Sequence, residues 1–274
     1  MSPPNGFQRP DPPLIADLRA RIARIERQTP ECGGSPGALS LGSSELDAAL
    51  SWGGLPRAVL HEVIAANWAA NQTAAAGFCA ALSARLAGDR GTVLWCRRRR
   101  DPRGRALYGP GLAAFGLAPR RLIVARGRSE IEVLWAMEEG LRSGAPAVVL
   151  GEVGNLLPGA ARRLQLAAKA GGVTGLLLNG VTGADGAGGV VPLGPAVTRW
   201  RVSAATQTGA GASPRWWVEL LRCRGSPQHG APAAWFVEWC DGTTGRFVVV
   251  AAPGHRAPRP APGGDVAGVA AGTG

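Results

Sequence analysis

Five short, mainly apolar segments, separated by stretches with helical patterns, constrain the fold of this chain more than any other feature. They lie in the first two thirds of the chain, at 59–64, 92–96, 122–125, 147–150 and 173–178. Strands this apolar are typical of parallel sheets that are covered by helices on both faces. The alternation of strands and helices therefore predicts an α/β fold with a mostly parallel, doubly wound sheet.

The pattern changes beyond a Gly-rich loop at 181–196. Four later segments read as short strands with turns between them, at 197–202, 215–224, 234–239 and 246–251, and Asp241-Gly242 is a turn signal. Antiparallel strands are expected here, so the parallel sheet should be extended by antiparallel strands towards the C-terminus.

Composition shifts suggest the domain organisation. Residues 1–13 are Pro-rich and predicted to be disordered, as is the Pro/Gly/Ala-rich tail at 253–274. Residues 14–38 hold an amphipathic helix, from Leu14 to Arg27, and a linker. The core is placed at 39–203 and the C-terminal β extension at 204–252. The N-terminal helix either packs on its own core or docks a partner or a second copy.

Charge and cysteine content bound the function. The formal net charge is +11, and Lys169 is the only lysine among 30 basic residues. This balance fits either a GC-rich genome or an acidic partner such as nucleic acid. The five cysteines include no CxxC pair, so no metal site is predicted. Without a signal peptide or a long apolar run, the sequence predicts a cytoplasmic protein.

The stretch from Leu55 to Cys79 has the strand–loop–helix order of a phosphate-binding loop without its chemistry. A working loop reads G-x-x-x-x-G-K-[ST]. Here Ala65 and Ala70 stand at the two glycine positions, Asn71 at the lysine position and Gln72 at the Ser/Thr position. Thr73 comes one residue too late for the motif, and the following helix is expected to begin there. Trp68 falls inside the loop, and its indole is expected to fill the vacated phosphate space.

The order of several segments resembles a RecA-type core, and most of all the ImuA family of bacterial inducible-mutagenesis cassettes. The segments are 39–50, 53–57, 61–63, 107–117, 149–153, 198–202 and 215–222. The resemblance implies a RecA-like fold and a non-catalytic adaptor in SOS-induced translesion synthesis. It implies an ImuB-like Y-family polymerase homologue and a replicative-type error-prone polymerase alpha subunit as partners. RecA and single-stranded DNA are further candidates, with nucleoid association during activity.

The same resemblance identifies positions where catalytic residues are missing. The strand at 147–150 should end in a Mg²⁺-linked aspartate, but Gly151 stands there, with Glu152 one residue later and expected on the other face. Cationic residues replace the water-activating acid, and Asn179-Gly180 occupies the sensor position. These losses predict that the chain is not an enzyme and has no cofactor. The alternatives to the adaptor are a divergent RecA-family DNA-dependent ATPase and a direct single-stranded DNA-binding protein.

Arginine and tryptophan clusters are the candidate contact residues for nucleic acid or a protein partner. The first cluster is Arg97, Arg98, Arg99 and Arg100. The second comprises Arg199, Arg201, Arg215, Trp216, Trp217, Arg222 and Arg224. A solvated loop is the alternative for the first cluster, and core packing is the alternative for the tryptophans. The C-terminal strands and tail are the first choice for partner docking, and the N-terminal helix is the second.

Two further interpretations concern single elements. His61 lies in the first strand and is interpreted as a core residue with its hydrogen bonds satisfied. The helix at 129–142 should begin at an N-cap, Ser129, and bury a stripe of Ile131, Leu134, Trp135, Met137 and Leu141.

Overall fold

The computed structural model describes residues 37–99, 106–154, 156–180, 194–205, 213–225, 233–240 and 245–251. The predicted N-terminal helix, Arg100 and the C-terminal tail lie outside the described residues. Within them, no helix is long and apolar enough to cross a membrane.

Five α-helices and nine strands make up the described fold. The helices are α1 (Ser44–Ala49), α2 (Trp68–Ala87), α3 (Gly109–Ala114), α4 (Glu130–Ser143) and α5 (Pro158–Gly171). The strands are β1 (Leu60–Ala65), β2 (Val93–Arg98), β3 (Leu122–Gly127), β4 (Val148–Val153), β5 (Thr174–Asn179), β6 (Thr198–Ala204), β7 (Arg215–Cys223), β8 (Ala233–Cys240) and β9 (Arg246–Ala251).

All nine strands belong to one sheet, in the order β3-β2-β4-β5-β1-β6-β7-β8-β9. The pairings from β3 across to β6 are parallel, and those from β6 to β9 are antiparallel. The prediction of an α/β fold with a mostly parallel sheet and antiparallel C-terminal strands is therefore confirmed. The first strand lies in the middle, between β5 and β6.

Helices cover both faces of the parallel part. Helix α2 packs on one face, where Phe78 and Leu82 join a core that also contains Val63 and Trp200. Helices α4 and α5 pack on the other face, around Met137. Gly151 is needed there, because a Cβ on it would lie 1.9 Å from Met137 Sδ.

The antiparallel strands share the core of α2. Phe78 of α2 meets Trp216 of β7 with ring centroids 5.8 Å apart and Phe247 of β9 at 5.2 Å. Trp239 of β8 lies 5.0 Å from Phe247. The predicted boundary at 203/204 falls at the end of β6, where Ala204 pairs with Trp216. Removing the chain beyond β6 would therefore strip the core of α2.

Two sequence-based predictions about helices are wrong. Helix α2 begins at Trp68, five residues before the predicted start, because Asn67 caps it and Oδ1 accepts a hydrogen bond from Ala70 N. Helix α4 does begin after Ser129, whose hydroxyl accepts from Glu132 N at 3.2 Å. However, Ile131 and Trp135 of its predicted core stripe are 79% and 64% exposed.

His61 is a fully buried polar residue of β1 with both ring nitrogens bonded. Nε2 lies 2.9 Å from Pro56 O, and Nδ1 lies 2.8 Å from Thr198 Oγ1. Because a carbonyl only accepts, Nε2 carries the proton, and the Thr198 hydroxyl donates to Nδ1. Thr198 Oγ1 in turn accepts from Trp200 Nε1 at 2.8 Å. The chain of bonds requires neutral imidazole.

Stability should therefore fall on mild acidification. Burial lowers the pKa of His61 from 6.5 to about 4, against the opposing effect of its bond to Pro56. The unfolded chain takes up this proton below about 6.5 and the folded chain only near 4, so stability is lost as pH falls between these values. We expect His61 to account for a loss of about 2 kcal/mol between pH 7 and pH 5. Urea unfolding at the two pH values measures it.

The matched control for this prediction is His61→Gln, which cannot titrate. Its free energy of unfolding should fall by about 2 kcal/mol less than that of the wild type over the same pH interval. Equal losses in the two proteins would contradict the assignment to His61.

Candidate functional site

The carboxyl edge of the parallel strands is the candidate site, since ligands of open α/β sheets bind there. At β1 the chain reaches α2 through only two residues, Ala66 and Asn67. Ala66 N donates to Val202 O at 2.8 Å, which fixes this connection to β6. A two-residue connection has no room to wrap a phosphate group.

The predicted phosphate-loop residues therefore lie elsewhere than expected. Ala65 ends β1, whereas Ala70, Asn71, Gln72 and Thr73 belong to the first two turns of α2. Asn71, at the lysine position, uses Oδ1 to accept a hydrogen bond from Ala204 N at 2.8 Å. Its side chain thus joins α2 to β6.

Trp68 occupies the space above the end of β5. A Cβ on Gly180 would lie 2.6 Å from Trp68 Cζ2, so the indole rests directly on the backbone of Gly180. Gly180 N donates to Val153 O at 2.7 Å. Only a glycine accommodates the indole at this position, because a Cβ would overlap it.

At the end of β4, Glu152 is held by two neighbours on β2. Trp95 Nε1 donates to Glu152 Oε1 at 2.8 Å, and Arg97 Nη2 lies 3.6 Å from Glu152 Oε2. Gly151 faces Met137 on α4, so Glu152 points to the opposite face, as predicted, towards α2. Its negative charge contributes to the raised pKa of Cys79 on α2, although burial is the larger cause. The Arg97 guanidinium group thus lies against the Glu152 carboxylate and balances its charge.

Arg97 is for this reason not a surface contact residue. Its side chain is 8% exposed. Arg98 and Arg99 are exposed, and Arg100 lies outside the described residues. The alternative interpretation of the cluster, a solvated loop, is wrong for Arg97 and Arg98, because both belong to β2.

A second buried ion pair, which the sequence analysis missed, lies where β5, β1 and β6 run side by side. Glu62 Oε2 accepts from Arg199 Nε and Nη2, each at 2.7 Å, and Glu62 Oε1 accepts from Asn179 Nδ2 at 2.8 Å. All three residues are at most 6% exposed. Asn179 Oδ1 is buried and makes no hydrogen bond within the described structure. No signal in the sequence links residues this far apart along the chain. They meet because β1 lies between β5 and β6 in the sheet.

Most of the second predicted cluster is structural. Arg199 is buried against Glu62, and Trp216 and Trp217 are 2% and 5% exposed. The two tryptophans are thus core residues, as the alternative interpretation had it, and their assignment to a contact surface is corrected.

The remaining arginines of the cluster are partly buried on the antiparallel strands. Arg201 pairs with Glu219 at 3.0 Å, and Arg215 pairs with Glu238 at 2.8 Å. Arg222 donates to Gly194 O, and the backbone of Arg224 bonds Val197 O at 2.9 Å. The two ion pairs join neighbouring strands, and the two hydrogen bonds join β7 and the residue after it to the segment just before β6.

No group of three or more His, Cys, Asp or Glu side chains within the described ranges could hold a metal ion. Burial raises the pKa of Cys96 to about 12 and raises that of Cys223 as well. Both thiols are therefore protonated at neutral pH and are poor nucleophiles or metal ligands.

Two curated proteins, both named Protein ImuA, are similar to this chain; they come from the Caulobacter vibrioides strains NA1000 / CB15N and ATCC 19089 / CB 15. Each is 36% identical over 213 residues, which covers 73% of this chain and 82% of the relative. No family model matches. Among solved structures, SulA from Pseudomonas aeruginosa is 20% identical with a TM-score of 0.36, and the match covers 44% of this chain and 96% of that chain. That likeness is too weak for any conclusion.

Removing only one partner of the buried Glu62–Arg199 ion pair should strongly lower the free energy of unfolding. Arg199→Met leaves the Glu62 carboxylate buried without its cation, and we expect a loss of about 3–5 kcal/mol in the free energy of unfolding. Arg201→Met is the matched control on the same strand. Its partner pair is more exposed, so about 1 kcal/mol or less should be lost. Urea unfolding at pH 7 compares them, and similar losses would contradict this account.

Proposed function

The chain belongs to the ImuA family, and from that membership we propose that it is a non-catalytic adaptor of the translesion-synthesis assembly. The family places it in the DNA-damage-inducible mutagenesis cassette. In the proposal, it links an ImuB-like Y-family polymerase homologue with a replicative-type error-prone polymerase alpha subunit. It does so through surface contacts and without bond chemistry.

The single observation that carries the non-catalytic part is the Arg97–Glu152 ion pair at the end of β4. A nucleotide-bound Mg²⁺ needs an available carboxylate at this edge, and here the carboxylate is already neutralised. The indole of Trp68 on Gly180 and the two-residue connection before α2 oppose phosphate binding for steric reasons.

A RecA-like core is part of the same proposal. Its support is the placement of β1 in the middle of the sheet and the packing of the following helix, α2, directly on the strands around it. This is the strand–connection–helix frame that a phosphate-binding loop would need. In the proposal, this segment keeps its structural role of connecting β1 to α2 and has no role in phosphate binding.

Purified protein should release no phosphate from Mg²⁺-ATP above the buffer background, with or without single-stranded DNA. The physical reason is the loss of cationic and metal stabilisation of the transition state. A malachite-green assay over hours measures it, with Glu152→Gln as the comparison variant. Release by the wild type that Glu152→Gln abolishes would establish the divergent ATPase instead.

The outer face of α4 is the proposed docking surface for the polymerase-like partner. Ile131 and Trp135 lie one turn apart and are 79% and 64% exposed. Exposed tryptophans of this kind are typical hot spots of protein interfaces. Glu132 and Glu139, both exposed, lie three residues before and four residues after Trp135. The partner segment should therefore be apolar with basic residues beside it.

This surface replaces the C-terminal strands as the first choice for docking. The two tryptophans predicted as contacts, Trp216 and Trp217, are core residues, and so are Trp235 and Trp239 of β8. The N-terminal helix and the tail lie outside the described residues and stay predictions.

Ile131→Ser/Trp135→Ser should weaken binding of the polymerase-like partner by about 30-fold or more, the size of a hot-spot loss. Isothermal titration of the full chain with that partner measures it. Leu166→Ser, which changes a 57% exposed leucine on α5, is the control and should bind like the wild type. Unchanged affinity in the double variant, with unchanged folding, would place the docking surface elsewhere.

A further inference from the structure

The outer face of helix α4 differs in charge from the chain as a whole. The helix contains four glutamates and one arginine, whereas the chain has a formal net charge of +11. Ile131 and Trp135 lie on the outer face, and Glu132 and Glu139 are exposed beside them. Such a surface suits an apolar segment that carries basic residues along its sides.

The helix predicted at 14–27 has the chemistry that this face requires. Its apolar stripe consists of Leu14, Leu18, Ile22 and Ile25. At about 100° per residue, Arg19 and Arg21 lie at the two borders of the stripe. The segment contains four arginines and two acidic residues, so its net charge is opposite in sign to that of α4. Its length of 14 residues also equals that of α4, which corresponds to about 21 Å.

The position of Gly37, where the described structure begins, places this helix within reach of α4. Leu39 N donates to Leu55 O at 2.8 Å ahead of β1, so the chain enters at the amino edge of the parallel strands. Helix α4 ends at the same edge, because the chain passes from it directly into β4.

The linker is long enough for this connection. The strands β4 and β2, on which α4 packs, lie two and three strands from β1, a lateral distance of roughly 10–15 Å. The nine residues at 28–36 span up to roughly 30 Å. The chain can therefore pass around the amino edge to the face of the sheet that carries α4.

We propose that the N-terminal helix at 14–27 docks on the outer face of α4 in the same chain. Its apolar stripe would cover Ile131 and Trp135, and its arginines would lie beside Glu132 and Glu139. A short flexible linker holds the helix at an effective concentration on the order of 1 mM, which favours binding within the chain over binding to a second copy. Of the alternatives that the sequence left open for this helix, the proposal selects packing on its own chain.

The docked helix would regulate the surface proposed for the polymerase-like partner, and this part of the inference rests on that proposed function. The helix has the apolar and basic character expected of the partner segment, so the two would compete for Ile131 and Trp135. The described structure, in which both side chains are exposed, corresponds to the open state. The partner would bind more weakly in proportion to the fraction of molecules that are open.

Hydroxyl-radical footprinting of the full chain, with oxidation of single residues followed by mass spectrometry, tests the docking. Leu18→Asp/Ile22→Asp places two charges in the apolar stripe and should release the helix. If the face is closed in about nine molecules of ten, Trp135 should be oxidised up to about tenfold faster in this variant than in the wild type. Leu166 on α5 is the internal reference, and its oxidation rate should not change.

The matched control is Ala16→Asp/Ala23→Asp, which adds the same charges to the opposite side of the helix. It should be oxidised at Trp135 like the wild type. Equal rates in the wild type and both variants, or equal acceleration in the two variants, would overturn the docking of the apolar stripe. Protection of Trp135 that is lost on about tenfold dilution of the protein would show docking on a second copy and would overturn binding within the chain.

Isothermal titration with the polymerase-like partner tests the competition separately. Leu18→Asp/Ile22→Asp should bind the partner about tenfold more tightly than the wild type or the control variant. Unchanged affinity, together with faster oxidation of Trp135, would overturn the competition. If neither the wild type nor the variants bind the partner, the proposed function is contradicted, whereas the footprint still decides whether the helix docks on α4.

Discussion

The packing of one alanine-rich helix, α2, on both the parallel and the antiparallel halves of the sheet is the constraint on which the fold depends. Its buried alanines (Ala75, Ala80, Ala81 and Ala84) let the helix approach the strands closely, and Phe78 reaches the aromatic rings of β7 and β9. A larger side chain at the alanine positions would separate the helix from the sheet. The two halves therefore form one core, and neither can be removed without exposing the other.

Charged groups at the carboxyl edge serve this core. Glu62 binds Arg199 and Asn179 across three strands, and Glu152 binds Arg97 and Trp95 across two. Buried ion pairs add little net stability, but they are costly to mispair, so they favour one strand register over others. Open α/β sheets bind their ligands at this edge. Here these glutamates form hydrogen bonds and ion pairs with side chains of the neighbouring strands.

The sequence predicted the elements better than the site. Apolar strands flanked by helical periodicity identified the α/β class, and each of the nine described strands falls on a predicted segment. The start of α2 was misplaced because the frame of a phosphate-binding loop suggested a loop at 65–72, whereas the local signal, Asn67 followed by good helix formers, indicated a cap. Trp135 was assigned to the core because periodicity alone does not show which apolar residues of a helix face solvent. The Glu62–Arg199 pair could not be predicted without knowing that β1 lies between β5 and β6.

The central position of β1 has a consequence for synthesis of the chain. Both neighbours of β1 follow it by more than a hundred residues, since β5 begins at Thr174 and β6 at Thr198. At about 5–20 residues per second, the ribosome needs roughly 5–25 s to make the intervening chain. During that time β1 has no native strand partner, and Glu62 lacks its cation. The nascent chain is therefore exposed to mispairing until late in translation, which makes this fold dependent on slow, long-range closure of its sheet.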